Sequence, residues 1–278
     1  MQRTGISING IHHTLEGPVN QRVREIVSTW DIEESYAQSV HANLIAGVAI
    51  AISAYGHTPV ATQVHIAIYT LLIISIDDFI TTTDAMEEFM TRLHSGVRQL
   101  DPILQYLVEN LAAMPDYFPA DAAKAISTSS IIFVNQTLLD KKLERMPLHQ
   151  EAREYVESKR MKNGVAEAYA YFIWDKETFP DIQAFIQSIP DIFSFYKEEL
   201  AGEMSNYVHE RARVTKKAAE LTLMDMMNDV IDAVHRARAI VQTNVQKEAL
   251  EHFLVGYVVF YFTSQRYRLY ELTGSEYV

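Results

Sequence analysis

Two clusters of oxygen and cation side chains carry the chemistry of this chain. Asp77 and Asp78 close the apolar run "LLIISIDD", and the stretch "PDIFSFYKEE" supplies Asp191, Ser194, Lys197 and Glu198. On a helix Ser194 and Glu198 are i and i+4, so a hydroxyl and a carboxylate share one face, with Asp191 a turn earlier. Hard oxygen donors set out in this way suit Mg2+. Lys197, next to them, can reach an anion that the metal holds. A solvated helix face with an i,i+4 hydrogen bond is by far the commoner origin of an isolated S-x-x-x-E pattern, so this spacing alone is a weak signal.

Asp77 and Asp78 sit where a long helix should end. Carboxylates there face the negative end of the macrodipole, at a cost of roughly 0.3–1 kcal/mol each. A bound divalent cation offsets that cost; the plainer alternative is that both acids mark where the helix meets water. Asp84, with Glu87 three residues on, reads as an N-cap and its capping partner, which leaves "TTT" at 81–83 as a connector. Arg266 and Tyr267, in "YFTSQRYRLYEL", come at the end of a very apolar helix. Cations are favourable there in any case, while an arginine closing over a phosphate would use its bidentate fork. Lys159, Arg160 and Lys162 flank an Asn-Gly break, where solvated surface is the default reading.

These groups need a scaffold, and the composition points to helices. The chain has 278 residues, 48% of them hydrophobic, with 15 Tyr and 12 Phe against only 10 Gly and 8 Pro. That balance favours one large all-α domain over residues 1–278, with a loose segment to about residue 19. Short Pro or Gly signals at 55–59, 100–102, 114–121, 145–147 and 178–181 divide it into about ten helices. Residues 65–78 and 251–272 are apolar most of the way round, as expected of helices inside a bundle. Runs of about a dozen apolar residues are too short to span a bilayer. With 24 basic and 36 acidic residues the net charge is −12, which argues against nucleic acid and anionic membranes as partners. No cysteine is present, so disulfides and zinc–thiolate sites are excluded. The N-terminus lacks a signal-peptide core, and a cytoplasmic protein is expected.

Taken in order, "HIAIYTLLIISIDD", "SFYKEE" and "GYVVFYFTSQRYRL" resemble the fungal trichodiene synthase family of class I terpene cyclases, over residues 60 to 272. The resemblance implies a class I terpenoid synthase-type helical bundle around a central apolar pocket. It implies a lyase that ionises a prenyl diphosphate, farnesyl diphosphate above all, with three Mg2+ ions and cyclises the carbocation to a sesquiterpene. By resemblance Asp77 and Asp78 match the first acids of the aspartate-rich motif, and Asp191, Ser194 and Glu198 match the second metal motif. Lys197, Arg160, Arg266 and Tyr267 match diphosphate contacts, with Asp77, Arg266 and Tyr267 nearest the chemistry. Tyr69, Ile73 and Ile74, one and two turns before Asp77, are expected on the pocket wall, although such residues are more often plain core.

Two departures stand against this pattern. Thr81 and Thr82 occupy the places of the later acids of the first motif, and Pro190 replaces the metal-binding Asn of the second. The segment between Arg160 and Ser194 is also about a dozen residues short of the family's spacing, roughly three turns of helix. Either the site is rebuilt locally, or a piece of the catalytic helix has been lost. An impaired cyclase homologue and a non-catalytic helical interaction protein therefore remain alternatives. The oligomeric state is open, a homodimer included.

Overall fold

The structure is a computed structural model that describes residues 15–32, 34–78, 81–143, 148–149, 151–163, 165–176, 206–267 and 269. Eleven helices and no strand occur among them, which gives the expected all-α architecture. In chain order these are α1 (Pro18–Ser28), α2 (Glu34–Tyr55), α3 (Val60–Asp77), α4 (Thr83–Ser95), α5 (Pro102–Tyr117) and α6 (Ala120–Leu143). They continue with α7 (Arg153–Asn163), α8 (Ala166–Tyr171), α9 (Tyr207–Thr215), α10 (Ala219–Ile240) and α11 (Asn244–Thr263).

Helix α3 is the centre of the bundle. Every side chain from Thr62 to Ile73 is buried, so the helix has no polar face to turn outward. It is long and apolar enough to cross a membrane, yet 78% of that span is buried inside the protein. Helix α2 packs against both α3 and α11. Both crossings run over a glycine. A Cβ at Gly47 would stand 2.4 Å from the Ala67 carbonyl oxygen, and one at Gly256 would stand 1.8 Å from that of Ser53. Glycine at these two places lets three backbones approach more closely than any side chain permits.

Local signals set the helix ends, and several correct the sequence reading. Helix α1 opens at Pro18, with proline in the first turn, so helical structure begins just ahead of the boundary near residue 19 read from the sequence. Helix α4 is capped by Thr82, whose hydroxyl accepts from the Ala85 amide, and not by Asp84. Both residue types cap well, and the chain uses the earlier one. Asp84 becomes a first-turn acid favourable to the dipole, and Glu87 pairs with Lys142 at 2.6 Å instead of serving a capping box. Helix α5 starts at Pro102 behind the Asp101 cap and runs through Pro115, so only Phe118 and Pro119 separate it from α6. Helix α11 opens on a true capping box, Thr243 with Gln246, and stops at Thr263, well before residue 272.

Candidate active site

The end of α3 and the end of α11 meet. Asp77 is the last residue of α3, and Asp78 is its C-cap, its amide donating to the Ile74 carbonyl at 2.9 Å. Both acids are exposed. At the other helix, the Ser264 amide closes α11 on the Phe260 carbonyl, and the next three residues form a turn in which the Tyr267 amide donates to Ser264. Arg266 therefore stands on a turn beyond the helix, where the sequence placed it on the helix end. The turn aims its guanidinium at α3: Nη1 donates to Asp78 Oδ2 at 3.0 Å and Nη2 to Asp78 Oδ1 at 2.7 Å. This is a two-pronged, charge-assisted pair.

Burial of Arg266 works against its charge, but the Asp78 bond and charge, followed by Tyr267 and Asp77, more than compensate and raise its pKa above the ordinary value. The guanidinium is thus a permanent cation that carboxylates surround. Tyr267 is buried beside it, its ring 4.3 Å from that of Tyr261 and 5.6 Å from that of Phe260.

From Tyr267 a train of rings runs inward. Tyr261 meets Tyr257, Tyr257 meets Phe253, and Phe253 meets Tyr55, with centroids 4.9 to 5.5 Å apart. Tyr55 then meets Phe172, which packs edge-on to Tyr69 at 5.0 Å. Residues 253, 257 and 261 are one turn apart on α11, a spacing the sequence displays but the motif reading did not use. Of the three residues expected on a pocket wall, Tyr69 is fully buried with its hydroxyl on Ser130 at 2.8 Å, Ile73 is buried, and Ile74 is half-buried near the Asp77 end. Burial pushes the Tyr69 phenol far above its usual range, so it stays neutral. A separate cleft of about 490 Å3 between α4 and α5, lined by Arg92, Gln99 and Tyr106 among others, contains none of the candidate site residues.

Arg160 is on α7, with its guanidinium 5.5 Å from the centre of the Tyr207 ring. Its neighbour Lys159 is committed to Glu210 at 2.8 Å and Asp140 at 3.7 Å. Solvated surface, the default for this cluster, does not describe Lys159, whose side chain is only 14% exposed. Asp191, Ser194, Lys197 and Glu198, together with Pro190, lie outside the described residues.

Among the described residues no group of three or more acids or histidines gathers as a ready metal site. Asp77 offers hard oxygen at an exposed helix end, chemistry that fits Mg2+, while both oxygens of Asp78 are engaged by Arg266.

Comparison with known proteins decides the family. The family model for trichodiene synthase matches residues 29–276. The chain belongs to the trichodiene synthase family. Monoterpene synthase 25 of Postia placenta is 35% identical over 98% of this chain and 85% of the relative. Terpene synthase BipA of Cochliobolus sativus is 34% identical over 87% of this chain and 78% of its own length. The (E)-beta farnesene synthase of Metarhizium brunneum is 25% identical over 98% of this chain and 87% of the relative. This trichodiene synthase family member is accordingly an enzyme of the terpene synthase class, with the all-α fold of that family.

Proposed function

We propose that this enzyme is a Mg2+-dependent terpene cyclase that ionises farnesyl diphosphate, cyclises the resulting cation to a sesquiterpene and releases diphosphate. One catalytic domain spanning the chain and working in the cytoplasm belongs to the same reading. The observation that carries it is the Arg266–Asp78 pair beside Asp77, set at the outer end of a continuous aromatic train. A fixed cation and a hard-oxygen helix end are what a departing diphosphate requires, and aromatic faces are what a carbocation requires.

Asp77, with Asp191, Ser194 and Glu198 of the second motif, would hold the metal. When bound, Mg2+ supplies Lewis acidity that neutralises charge on the diphosphate. The remaining work falls to the protein. Arg266 and Tyr267 donate to diphosphate oxygens as the allylic C–O bond breaks and its electron pair leaves with the diphosphate. Arg160 and Lys197 add donors to the same anion. Tyr261, Tyr257 and Phe253 then offer ring faces and no basic group to the cation left behind.

The test is incubation of the pure protein with Mg2+ and farnesyl diphosphate, then gas chromatography with mass detection. A cyclic sesquiterpene and stoichiometric diphosphate are expected; folded protein that gives neither overturns the proposal. Geranyl diphosphate belongs in a parallel arm, because one relative is named as a monoterpene synthase. A second reading, an impaired homologue, is favoured by Pro190 and the shortened preceding segment. It predicts protein that folds but turns over neither substrate.

A further inference from the structure

The two arginines assigned to the diphosphate are held in opposite ways. Arg266 spends its fork on Asp78. Arg160 donates no hydrogen bond and forms no ion pair among the described residues; its one contact of this kind is the face of Tyr207. A ring face orients a guanidinium without using any of its five N–H donors.

The Tyr207 ring is itself fixed. It opens α9 immediately after the Asn206 cap, whose side chain accepts from the His209 amide. Its hydroxyl donates to Glu157 Oε2 at 2.7 Å and accepts from Arg211 Nη1 at 3.4 Å. Arg211 is anchored in turn on Asp229 at 2.8 Å. Glu157 and Arg160 are three residues apart on α7, so one helix face grips the hydroxyl of Tyr207 and lays a guanidinium on its ring. Burial, then the Glu157 hydrogen bond and charge, pushes the phenol up to about 12. Tyr207 therefore keeps its proton, and with it the bond to Glu157, at any working pH.

We infer that Tyr207 is a positioning residue for Arg160: its ring presents the guanidinium with none of its donors spent on the described residues, ready to receive a diphosphate oxygen. This rests on the assignment of Arg160 to the diphosphate in the proposed function. It adds to that assignment a residue outside the metal and diphosphate motifs, and a reason why Arg160 and not Lys159 is the available cation.

The experiment measures binding of inorganic diphosphate with Mg2+ by titration calorimetry, alongside KM and kcat for farnesyl diphosphate. Tyr207→Leu removes the face and should weaken diphosphate binding about two- to fivefold, the size of a partly exposed cation–π contact. KM should rise in step while kcat changes less. Tyr207→Phe keeps the face and should stay within about twofold of the parent. Adding Tyr207→Leu to Arg160→Ala should cause no further loss, since the two side chains act as one unit. If Tyr207→Leu is poorly folded, Tyr207→Gln keeps a polar partner for Glu157 while removing the ring. Full affinity in the folded ring-less variants, or additive losses in the double variant, overturns the inference while leaving the cyclase reading intact. An Arg160→Ala protein with unchanged affinity overturns the inference together with the assignment of Arg160 to the diphosphate.

Discussion

The two ends of α3 solve opposite problems. In its first half, His65 is sealed in apolar surroundings with Asn110 of α5, the imidazole stacked 4.2 Å from Tyr117 and its Nδ1 3.3 Å from the Asn110 amide nitrogen. Burial, only partly offset by Asn110 and Asp116, lowers the His65 pKa from 6.5 to about 4. Polar groups survive there by staying neutral. At the other end, Asp77 and Asp78 stand exposed, and Arg266 grips both carboxylate oxygens of Asp78. One helix thus passes from a region that excludes charge to one that concentrates it within about 18 Å, the rise of twelve residues. A carbocation enzyme needs both conditions side by side: a dry interior and a charged mouth.

That contrast can be attacked from either end. The largest effect is expected at the mouth. Asp77→Asn should lower turnover about 10²–10³-fold, the usual loss when an electrostatic stabiliser of developing charge is removed. Turnover within tenfold of the parent would mean that α3 does not end in a metal ligand. Next comes the sealed half. The unfolded chain takes up a proton on His65 near pH 6.5 and the folded chain only near 4, so stability falls as pH drops through that window. The loss should reach about 3 kcal/mol at pH 4. Denaturant titrations between pH 7 and 4 should show a shallower acid limb in His65→Gln; an unchanged limb would remove His65 from the account.

A smaller effect should sharpen the picture at the mouth. Without Mg2+, Asp78→Asn frees the Arg266 fork from its carboxylate. It should then bind inorganic diphosphate several-fold more tightly than the parent, since the anion no longer competes with a neighbouring charge. Equal or weaker binding would mean that Arg266 is a structural clasp. The smallest is a phenol deletion: Tyr261→Phe should leave turnover within about twofold of the parent if ring faces and not hydroxyls line the path, and a tenfold loss would require a role for the hydroxyl.

Much of this was legible from the chain itself. The all-α fold follows from two helices apolar on every side and from the absence of alternating segments, and the family follows from three short motifs in order. Asp77 could be singled out because an unfavourable charge at the end of an apolar run needs a reason. The Asp78–Arg266 pair could not, because its partners lie 188 positions apart and only the packing of α2, α3 and α11 joins them. Thr82 and Asp84 are nearly equal as caps, so spacing alone could not choose between them. Arg266 was placed on a helix because its neighbours are apolar, whereas the helix stops at Thr263 and a turn does the aiming. Tyr207 was passed over because an aromatic at a helix start carries no motif; its meaning comes from Glu157 and Arg160.

The glycine crossings give α2 the role of a spacer gauge. With Gly47 of α2 against α3 and Gly256 of α11 against α2, bare backbone fixes how closely each of these pairs of helices runs. The same packing accompanies the meeting of Asp78, at the end of α3, with Arg266, just beyond α11. Adding even a single methyl at either position would drive it into a neighbouring backbone and wedge the paired helices apart.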